Sequence, residues 1–131
     1  MAHANHNAQP ESISALTLFV SAMPRSVAFY EALGFDLLYG GAEASFSSFR
    51  VSEGYLNLAL TDTRGASPLW GRAVFYVSDV DSMHERAKIS GIEPLFAPRD
   101  ASWGERYFHL RDPDGHEISF ASPLKSRAPS A

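Results

Sequence analysis

The sequence contains no cysteine, which excludes disulfide bonds, thiolate metal ligands and a cysteine nucleophile. It contains no apolar run near the roughly 20 residues that a membrane-spanning helix requires, so no membrane partner is expected. Basic residues are scattered, with 11 Lys and Arg against 15 Asp and Glu, and this balance argues against a nucleic-acid partner. Residues 1–12 lack the basic and apolar regions of a secretory signal, and a cytoplasmic location is therefore expected.

The motifs that mark several large enzyme classes are absent as well. There is no glycine-rich phosphate loop, no nucleophile elbow of the form GxSxG and no HExxH metal motif. What the sequence does have is the composition of one globular domain: 131 residues, 45% hydrophobic and 12% aromatic. Residues 1–12 and 123–131 are small, polar and aperiodic, which predicts loose tails around a single domain at 13–122.

An internal repeat organises the predicted domain. Residues 15–39 align with residues 72–96 without a gap. Each copy opens with an alternating strand and continues as a helix. Each helix ends at a glycine, Gly34 or Gly91, which suits the left-handed residue that follows many helices.

The repeat also predicts where the helices begin and what comes after them. The expected helix caps are Ser21, with Pro24 in the first turn, and Asp79 in the second copy. After each helix a further strand is predicted, starting at Phe35 in the first copy and at Ile92 in the second.

Each copy is followed by two more strand candidates joined by a turn. They are 44–51 and 55–60 in the first copy, and 106–111 and 116–121 in the second. In the Asp-Pro-Asp-Gly turn of the second pair, Pro113 suits the first corner of a type I turn and Gly115 supplies the positive φ of a following bulge. The sequence therefore predicts two β-α-β-β-β modules, at 13–62 and 71–122, with 63–70 as a linker.

Three stretches carry a family resemblance: residues 26–35 (SVAFYEALGF), residues 77–94 and residues 102–120. Together they resemble the vicinal oxygen chelate superfamily, which includes glyoxalase I, extradiol dioxygenases, fosfomycin-modifying enzymes and bleomycin-resistance proteins. The Trp-Gly pair followed by Leu-Arg-Asp-Pro in the last stretch is especially similar to the drug-binding branch. The resemblance implies an α+β fold in which two βαβββ modules form a curved eight-stranded cleft, within a homodimer.

The same resemblance implies metal ligands on the cleft side of the first and last strand of each module. Strand alternation then places the implied positions at Ala15, Asn57 (or Ala59 if the register differs by two), Arg72 and Ser119. None of these is a competent ligand for a divalent metal, and Arg72 is a permanent cation. Neither a metal nor any other cofactor is therefore expected.

The alternative is a metal site built from ligands at positions other than the four implied ones. Among the five histidines, His3 and His6 are in the N-terminal tail. His84 is expected on a solvated helix face, and His116 is in a turn. Only His109 alternates onto the cleft face, with Glu117 nearby. This pair keeps two enzymatic interpretations open: a glyoxalase- or dioxygenase-like enzyme with relocated ligands, or a metal-free acid–base lyase or isomerase.

The leading interpretation is a metal-free small-molecule binding protein that resembles the bleomycin-resistance proteins, with its ligand in a cleft of the homodimer. The candidate ligand-binding residues are Phe19, Asn57, Arg72, Tyr76, Trp103, His109, Glu117 and Ser119. The ligand is expected to be anionic or aromatic, and Arg72 is expected either to bind an anion or to pair with Glu117. Phe29 and Tyr30 on the first helix are candidate core or dimer contacts. A dimeric scaffold with a filled cleft is a third hypothesis.

Overall fold

The computed structural model describes residue 10, residues 12–62 and residues 72–124, so the predicted linker and most of both predicted tails lie outside the described residues. The first module contains β1 (Ala15–Val20), α1 (Met23–Ala32), β2 (Asp36–Tyr39), β3 (Phe46–Val51) and β4 (Gly54–Leu60). The second module contains β5 (Arg72–Tyr76), α2 (Val80–Ile89), β6 (Arg99–Asp100), β7 (Glu105–Arg111) and β8 (Glu117–Pro123). Neither helix of this described part is long and apolar enough to cross a membrane.

Each module forms one four-stranded mixed sheet. The strand orders are β1-β4-β3-β2 and β5-β8-β7-β6. In each sheet the first strand runs parallel to the last strand of its module, and the other neighbours are antiparallel. The identical order in both sheets confirms the predicted α+β fold of two βαβββ modules.

Alternation gives each sheet one buried face and one open face. In β1, Leu18 and Val20 are buried while Phe19 between them is 61% exposed. In β7, Phe108 is fully buried while His109 beside it is only partly covered. The helices pack on the buried faces, where each large apolar side chain contributes roughly 1.5–3 kcal/mol. The open faces therefore carry the polar and aromatic candidates.

Both helices end as the glycine pattern predicts. Gly34 has φ 94° and Gly91 has φ 81°, values that a residue with a side chain rarely adopts. After α1, the Phe35 N–H donates to the Tyr30 carbonyl at 3.0 Å, and the matching bond follows α2. These hydrogen bonds satisfy carbonyl groups that the last turn of each helix leaves without a partner inside the helix.

The helix starts follow the predicted pattern in only one copy. Asp79 caps α2 by accepting the Ser82 N–H at 3.0 Å, as predicted. The predicted cap Ser21 is wrong, because Ala22 occupies the cap position of α1 and makes no side-chain cap bond. The Ser21 hydroxyl instead donates to the buried Asp114 carboxylate at 2.6 Å. A hydrogen bond to a buried carboxylate is stronger than one to an exposed helix end, so the Ser21 hydroxyl bonds to Asp114 rather than capping α1.

The strand predicted to start at Ile92 is also wrong. Residues 92–98 form no strand, although the Leu95 N–H donates to the His109 carbonyl at 2.8 Å, and the two-residue β6 pairs with β7 at this edge. Pro94 and Pro98 have no backbone N–H to donate to a sheet, which explains the interruption. The edge of the second sheet is consequently short.

The Asp-Pro-Asp-Gly turn after β7 connects the two modules. Asp114 accepts the Ser21 and Ser26 hydroxyls at 2.6 and 3.3 Å, and Asp112 accepts the Tyr30 hydroxyl at 2.8 Å. Both carboxylates are buried, so these bonds replace the water that the charges lose. Tyr30 is itself fully buried, so of the two predicted roles it has the core role and is unavailable as a dimer contact.

Candidate functional site

An open cavity of about 340 Å³ lies on the open face of the second sheet. This volume is within the range of small-molecule pockets. Three strands and one loop form its walls, because alternate residues of each strand point to this face. The lining residues are Arg72 and Val74 from β5, Trp103 from the loop before β7, Glu105, Tyr107 and His109 from β7, and Ser119 from β8.

Arg72 is held by Glu117 on the neighbouring strand. The parallel register of β5 and β8 places the two residues side by side. The Arg72 Nε donates to Glu117 Oε2 at 2.6 Å, and the structure thus shows the pairing that the sequence proposed as one of two roles. The Arg72 side chain is 46% exposed, so the pair adds at most about 1 kcal/mol to stability. Its importance is that it fixes the direction of the guanidinium.

Two further side chains approach the Glu117 carboxylate, and one of them is a cation. His109 Nε2 lies 3.7 Å from Glu117 Oε2, and Arg111 Nη2 lies 4.0 Å from Glu117 Oε1. A separation of 3.7 Å is too long for a hydrogen bond. The two residues of the predicted acid–base pair are therefore neighbours, but they are not bonded to each other.

The surroundings of His109 lower its pKa and so favour the neutral form of the ring. Burial lowers the pKa of His109 below its ordinary value of 6.5, and the Arg72 guanidinium lowers it further. The Phe108 carbonyl and Glu117 raise this pKa, but less strongly. Nδ1 is buried and has no hydrogen-bond partner among the described residues. The imidazole ring lies 5.2 Å from the Tyr107 ring and forms part of the aromatic wall of the cavity.

Glu105 is a lining residue that the sequence prediction missed. Its carboxylate accepts the Trp103 Nε1–H at 3.0 Å and also the Tyr76 hydroxyl. Within the described ranges, no basic side chain lies within 4.0 Å of this carboxylate. Strand alternation back from His109 through Tyr107 would have placed Glu105 on the cavity face.

A second cavity, of about 460 Å³, lies where β1 and β5 begin. Its walls include Ala15 and Tyr55 from the first module, and Arg72 and Val74 from the second. Arg72 and Val74 therefore line both cavities and stand between them.

The structure brings together most of the predicted ligand-binding residues. Four of them line the first cavity: Arg72, Trp103, His109 and Ser119. Tyr76 and Glu117 form hydrogen bonds with side chains in its wall. Phe19 and Asn57 lie on the first sheet instead, where Asn57 Oδ1 accepts the Ser48 hydroxyl at 2.7 Å.

The other histidines lie away from this cavity. His84 is half-buried and packs edge-on against Phe108 with 5.1 Å between ring centroids, so the predicted solvated face is wrong. His116 is buried, and its Nε2 lies 2.8 Å from the Phe19 carbonyl oxygen. His3 and His6 lie outside the described residues.

The residues at the implied metal positions do not fit a divalent metal. Ala15 offers no donor atom, and the Arg72 cation is already bonded to Glu117. Asn57 and Ser119 offer only neutral oxygens, and the Asn57 oxygen is engaged by a serine hydroxyl. In the part of the chain that the structure describes, no three His, Asp or Glu side chains are placed to share an ion.

Curated relatives match only part of the chain. An uncharacterized protein of Mycobacterium bovis is 39% identical over 49 residues, which is 37% of this chain and 32% of that protein. An uncharacterized protein of Mycobacterium tuberculosis is also 39% identical over 49 residues, which is 37% of this chain and 29% of that protein. The chain spans about a third of the length of the curated relatives that it matches.

Solved structures match over nearly the whole chain. A glyoxalase/bleomycin resistance protein/dioxygenase from Nocardioides has a TM-score of 0.76 at 21% identity, covering 99% of this chain and 95% of that one. Lactoylglutathione lyase from Agrobacterium tumefaciens has a TM-score of 0.70 at 19% identity, covering 86% and 94%. TioX from Micromonospora sp. ML1 has a TM-score of 0.69 at 23% identity, covering 87% and 100%. At these identities the likeness shows a shared fold.

The family comparison covers the same region. Residues 12–120 match the family described as Glyoxalase/Bleomycin resistance protein/Dioxygenase superfamily. This range contains both helices and nearly all of the paired strands, so the match and the repeated topology agree. The chain belongs to the glyoxalase/bleomycin resistance protein/dioxygenase superfamily.

Proposed function

We propose that this protein binds a small molecule without a metal ion, in the cavity on the open face of the second sheet. The observation that carries the proposal is Arg72, whose guanidinium stands at an implied metal-ligand position and is bonded to Glu117. A permanent cation at that point repels a divalent ion and supplies no lone pair. An ion pair thus stands where the family resemblance implies a metal ligand.

The cavity walls support a binding role. Trp103 is 64% exposed beside the cavity, and its ring centroid lies 5.5 Å from that of Tyr107. Exposed aromatic surface next to a few polar groups is typical of small-molecule pockets. The neutral His109 and the buried Ser119 add hydrogen-bonding groups to the floor of the cavity.

A homodimer is part of this proposal. Large apolar side chains are exposed on the open faces of both sheets; among them are Phe19 at 61%, Phe46 at 40%, Val74 at 56% and Tyr76 at 62%. Exposed apolar faces of this kind favour coverage by a second copy, which would also close the open cavity. Light scattering at micromolar concentration should give twice the mass of the chain, and a monomer mass would contradict the dimer.

Ligand binding is tested with one blocking variant and one matched control. Val74 lies in the cavity wall and is 56% exposed, so Val74→Phe should fill the cavity without disturbing the core. Ile89→Phe adds a similar bulk on α2, where Ile89 is 80% exposed. A panel of aromatic and charged small molecules should raise the Tm of the native protein and of Ile89→Phe, but not that of Val74→Phe. Because Val74 lines both cavities, equal shifts in all three proteins would place the ligand outside both of them.

A metal-free acid–base enzyme is the second candidate, and one observation favours it. His109 is neutral and lies 3.7 Å from the Glu117 carboxylate, as a general base beside an orienting group would. Against it, Glu117 is already engaged by Arg72. Turnover of a bound compound that disappears in His109→Gln, while binding persists, would favour the enzyme over the binding protein.

A further inference from the structure

We propose that the cavity on the second sheet selects an aromatic carboxylate, with its acid group at Arg72, near Arg111, and its ring against Trp103 and Tyr107. This inference rests on the proposed binding function and names the class of ligand. The charges of the open face are placed unevenly along its strands, and this placement sets the orientation of the ligand.

One end of the open face carries two cations and one anion. The register of the sheet sets Arg72, Glu117 and Arg111 side by side on β5, β8 and β7. Residues paired in this way point to the same face of a sheet. Glu117 is bonded to Arg72 and lies 4.0 Å from Arg111, so one carboxylate stands between two guanidinium groups. This row of three side chains therefore has a net positive charge.

The other carboxylate of the cavity lies far from this row. Glu105 is six residues from Arg111 along β7, which is about 20 Å at the usual rise of a strand. That separation exceeds the screening length of about 8 Å at physiological salt, so Glu105 does not cancel the charge of the row. Arg99 pairs with Tyr107, between these two positions, and adds a third guanidinium to the face. An acid group on a ligand is therefore attracted to the Arg72 end and repelled from the Glu105 end.

Arg72 keeps donors for a ligand although it is paired. Its Nε and Nη2 both lie close to Glu117 Oε2, at 2.6 and 2.5 Å, whereas Nη1 is in no hydrogen bond with the described residues. Arg111 is 57% exposed, and its contact with Glu117 is too long for a hydrogen bond. A ligand carboxylate can therefore accept N–H groups of Arg72 without displacing Glu117, and the Arg111 charge strengthens the attraction.

The rest of the cavity suits an aromatic ring. Trp103, Tyr107 and His109 form a continuous wall, in which neighbouring ring centroids lie 5.5 and 5.2 Å apart. Glu105 accepts the Trp103 indole N–H at 3.0 Å and so orients this exposed ring. Tyr107 is four residues from Arg111 on β7, or about 13 Å along the strand. An acid group joined to a ring by a short flexible chain can therefore contact the arginine row while the ring packs against the aromatic wall.

The test compares three molecules with one skeleton and different charge: 4-phenylbutanoate, 4-phenylbutan-1-ol and 4-phenylbutan-1-amine, which is protonated at neutral pH. Binding is followed by the NMR signal of the Trp103 indole N–H, which is identified with a Trp103→Phe variant. The carboxylate should shift this signal in a saturable way, with an affinity that weakens as ionic strength rises. The alcohol and the ammonium ion should bind at least about tenfold more weakly.

Two arginine variants identify the recognising charges. Arg72→Gln should lose about tenfold or more in affinity for 4-phenylbutanoate. Arg111→Gln should lose about threefold or more, and this loss cannot come from a broken Arg72–Glu117 hydrogen bond, because Arg111 takes no part in it. Lys88→Gln is the matched control, since it removes the same charge from an exposed position of α2, the helix on the buried face of the sheet. Its affinity should equal that of the native protein.

Glu117→Gln should change the affinity in the opposite direction. The amide keeps an oxygen that can accept the Arg72 N–H, but it has no charge to repel an anion. The affinity for 4-phenylbutanoate should therefore rise by about fivefold, as expected when one of two like charges a few ångströms apart is removed. If the ion pair served only to hold β5 and β8 together, the same substitution would leave the affinity unchanged or lower it.

Equal affinity for the carboxylate and the alcohol would overturn the inference, as would the absence of saturable binding of the carboxylate. Undiminished affinity in both arginine variants, or no gain of affinity in Glu117→Gln, would show that these charges do not recognise the ligand. Saturable binding of the alcohol or the ammonium ion, blocked by Val74→Phe, would refute the carboxylate while leaving the proposed binding function intact. A stoichiometric metal in the protein would refute the proposed function separately.

Discussion

Arg72 and Glu117 connect β5 and β8, the two strands of the second module on which the family resemblance implies metal ligands. A metal would hold such strands through coordinate bonds, and here an ion pair joins them. The cost of leaving Arg72 unpaired on a sheet face is avoided by the neighbouring carboxylate. The same guanidinium lies close enough to His109 to affect its protonation.

The first prediction at this scale concerns the pKa of His109. Arg72→Ala should raise it, because the substitution removes a nearby cation and also admits water to a buried ring. Arg99→Ala is the matched control and should raise the pKa less, since Arg99 has the smallest effect on His109. Imidazole proton shifts recorded against pH give both values. An unchanged or lower pKa in Arg72→Ala would contradict the geometry of the site.

A second prediction concerns the stability that His109 contributes. Its pKa in the folded protein is lower than the ordinary value of 6.5, so between the two values the unfolded chain binds more protons. The contribution is therefore present above pH 6.5 and is lost as the pH falls through the folded pKa. Urea unfolding of the native protein and His109→Gln should show the native protein losing relative stability on acidification. If the native protein instead gained stability relative to His109→Gln on acidification, the folded pKa of His109 would be raised and the prediction would be refuted.

At the scale of single elements, the two helix ends provide a matched experiment. Gly34 and Gly91 have the same left-handed conformation, but a Cβ on Gly34 would lie 2.9 Å from Arg86 Nη1, whereas a Cβ on Gly91 would meet nothing within 4 Å. Arg86 also donates to the Ala32 carbonyl at 2.9 Å and so fixes the end of α1.

Gly91→Ala should therefore destabilise the protein by about 1–2 kcal/mol, from backbone strain alone. Gly34→Ala should lose up to about 1 kcal/mol more, because Arg86 must move and its hydrogen bond is weakened. Chemical denaturation of both variants gives the difference. Equal losses of stability in the two variants would mean that Arg86 moves away from the added methyl group at no cost in free energy.

The elements also show which features local sequence can predict. The glycine ends of both helices and the Asp79 cap depend on neighbours within a few residues, and these predictions are confirmed. The Ser21 cap is wrong because its hydroxyl bonds to Asp114, which is 93 positions away. Periodicity carries no information about such a distant partner.

At the scale of the whole molecule, the buried hydrogen bond between Tyr30 and Asp112 is one of the contacts that join the two modules. Tyr30→Phe should destabilise the protein by about 1–3 kcal/mol, because a buried carboxylate loses a donor. Tyr39 is 65% exposed, and Tyr39→Phe should change the free energy of unfolding by less than about 0.5 kcal/mol. Comparable losses in both variants would show that the module contact contributes little.

The candidate site was predictable in outline but not in its charge. Alternation along β5 and β8 correctly placed Arg72, Glu117 and Ser119 on the open face. Glu105 was missed because the search followed the positions of implied metal ligands, and Glu105 is not one of them. The hydrogen bond from Trp103 to Glu105 depends on the loop conformation before β7, which no periodicity encodes.

The most direct test of the central claim is the metal content of protein in which His3 and His6 are replaced by alanine. These substitutions prevent the N-terminal histidines from binding metal independently of the cleft. The variant is incubated with Fe, Mn, Ni and Zn salts, dialysed and measured by elemental analysis. Because Arg72 is paired with Glu117 at an implied ligand position, we expect far less than one ion per chain. Close to one retained ion of a single metal per chain would contradict the account.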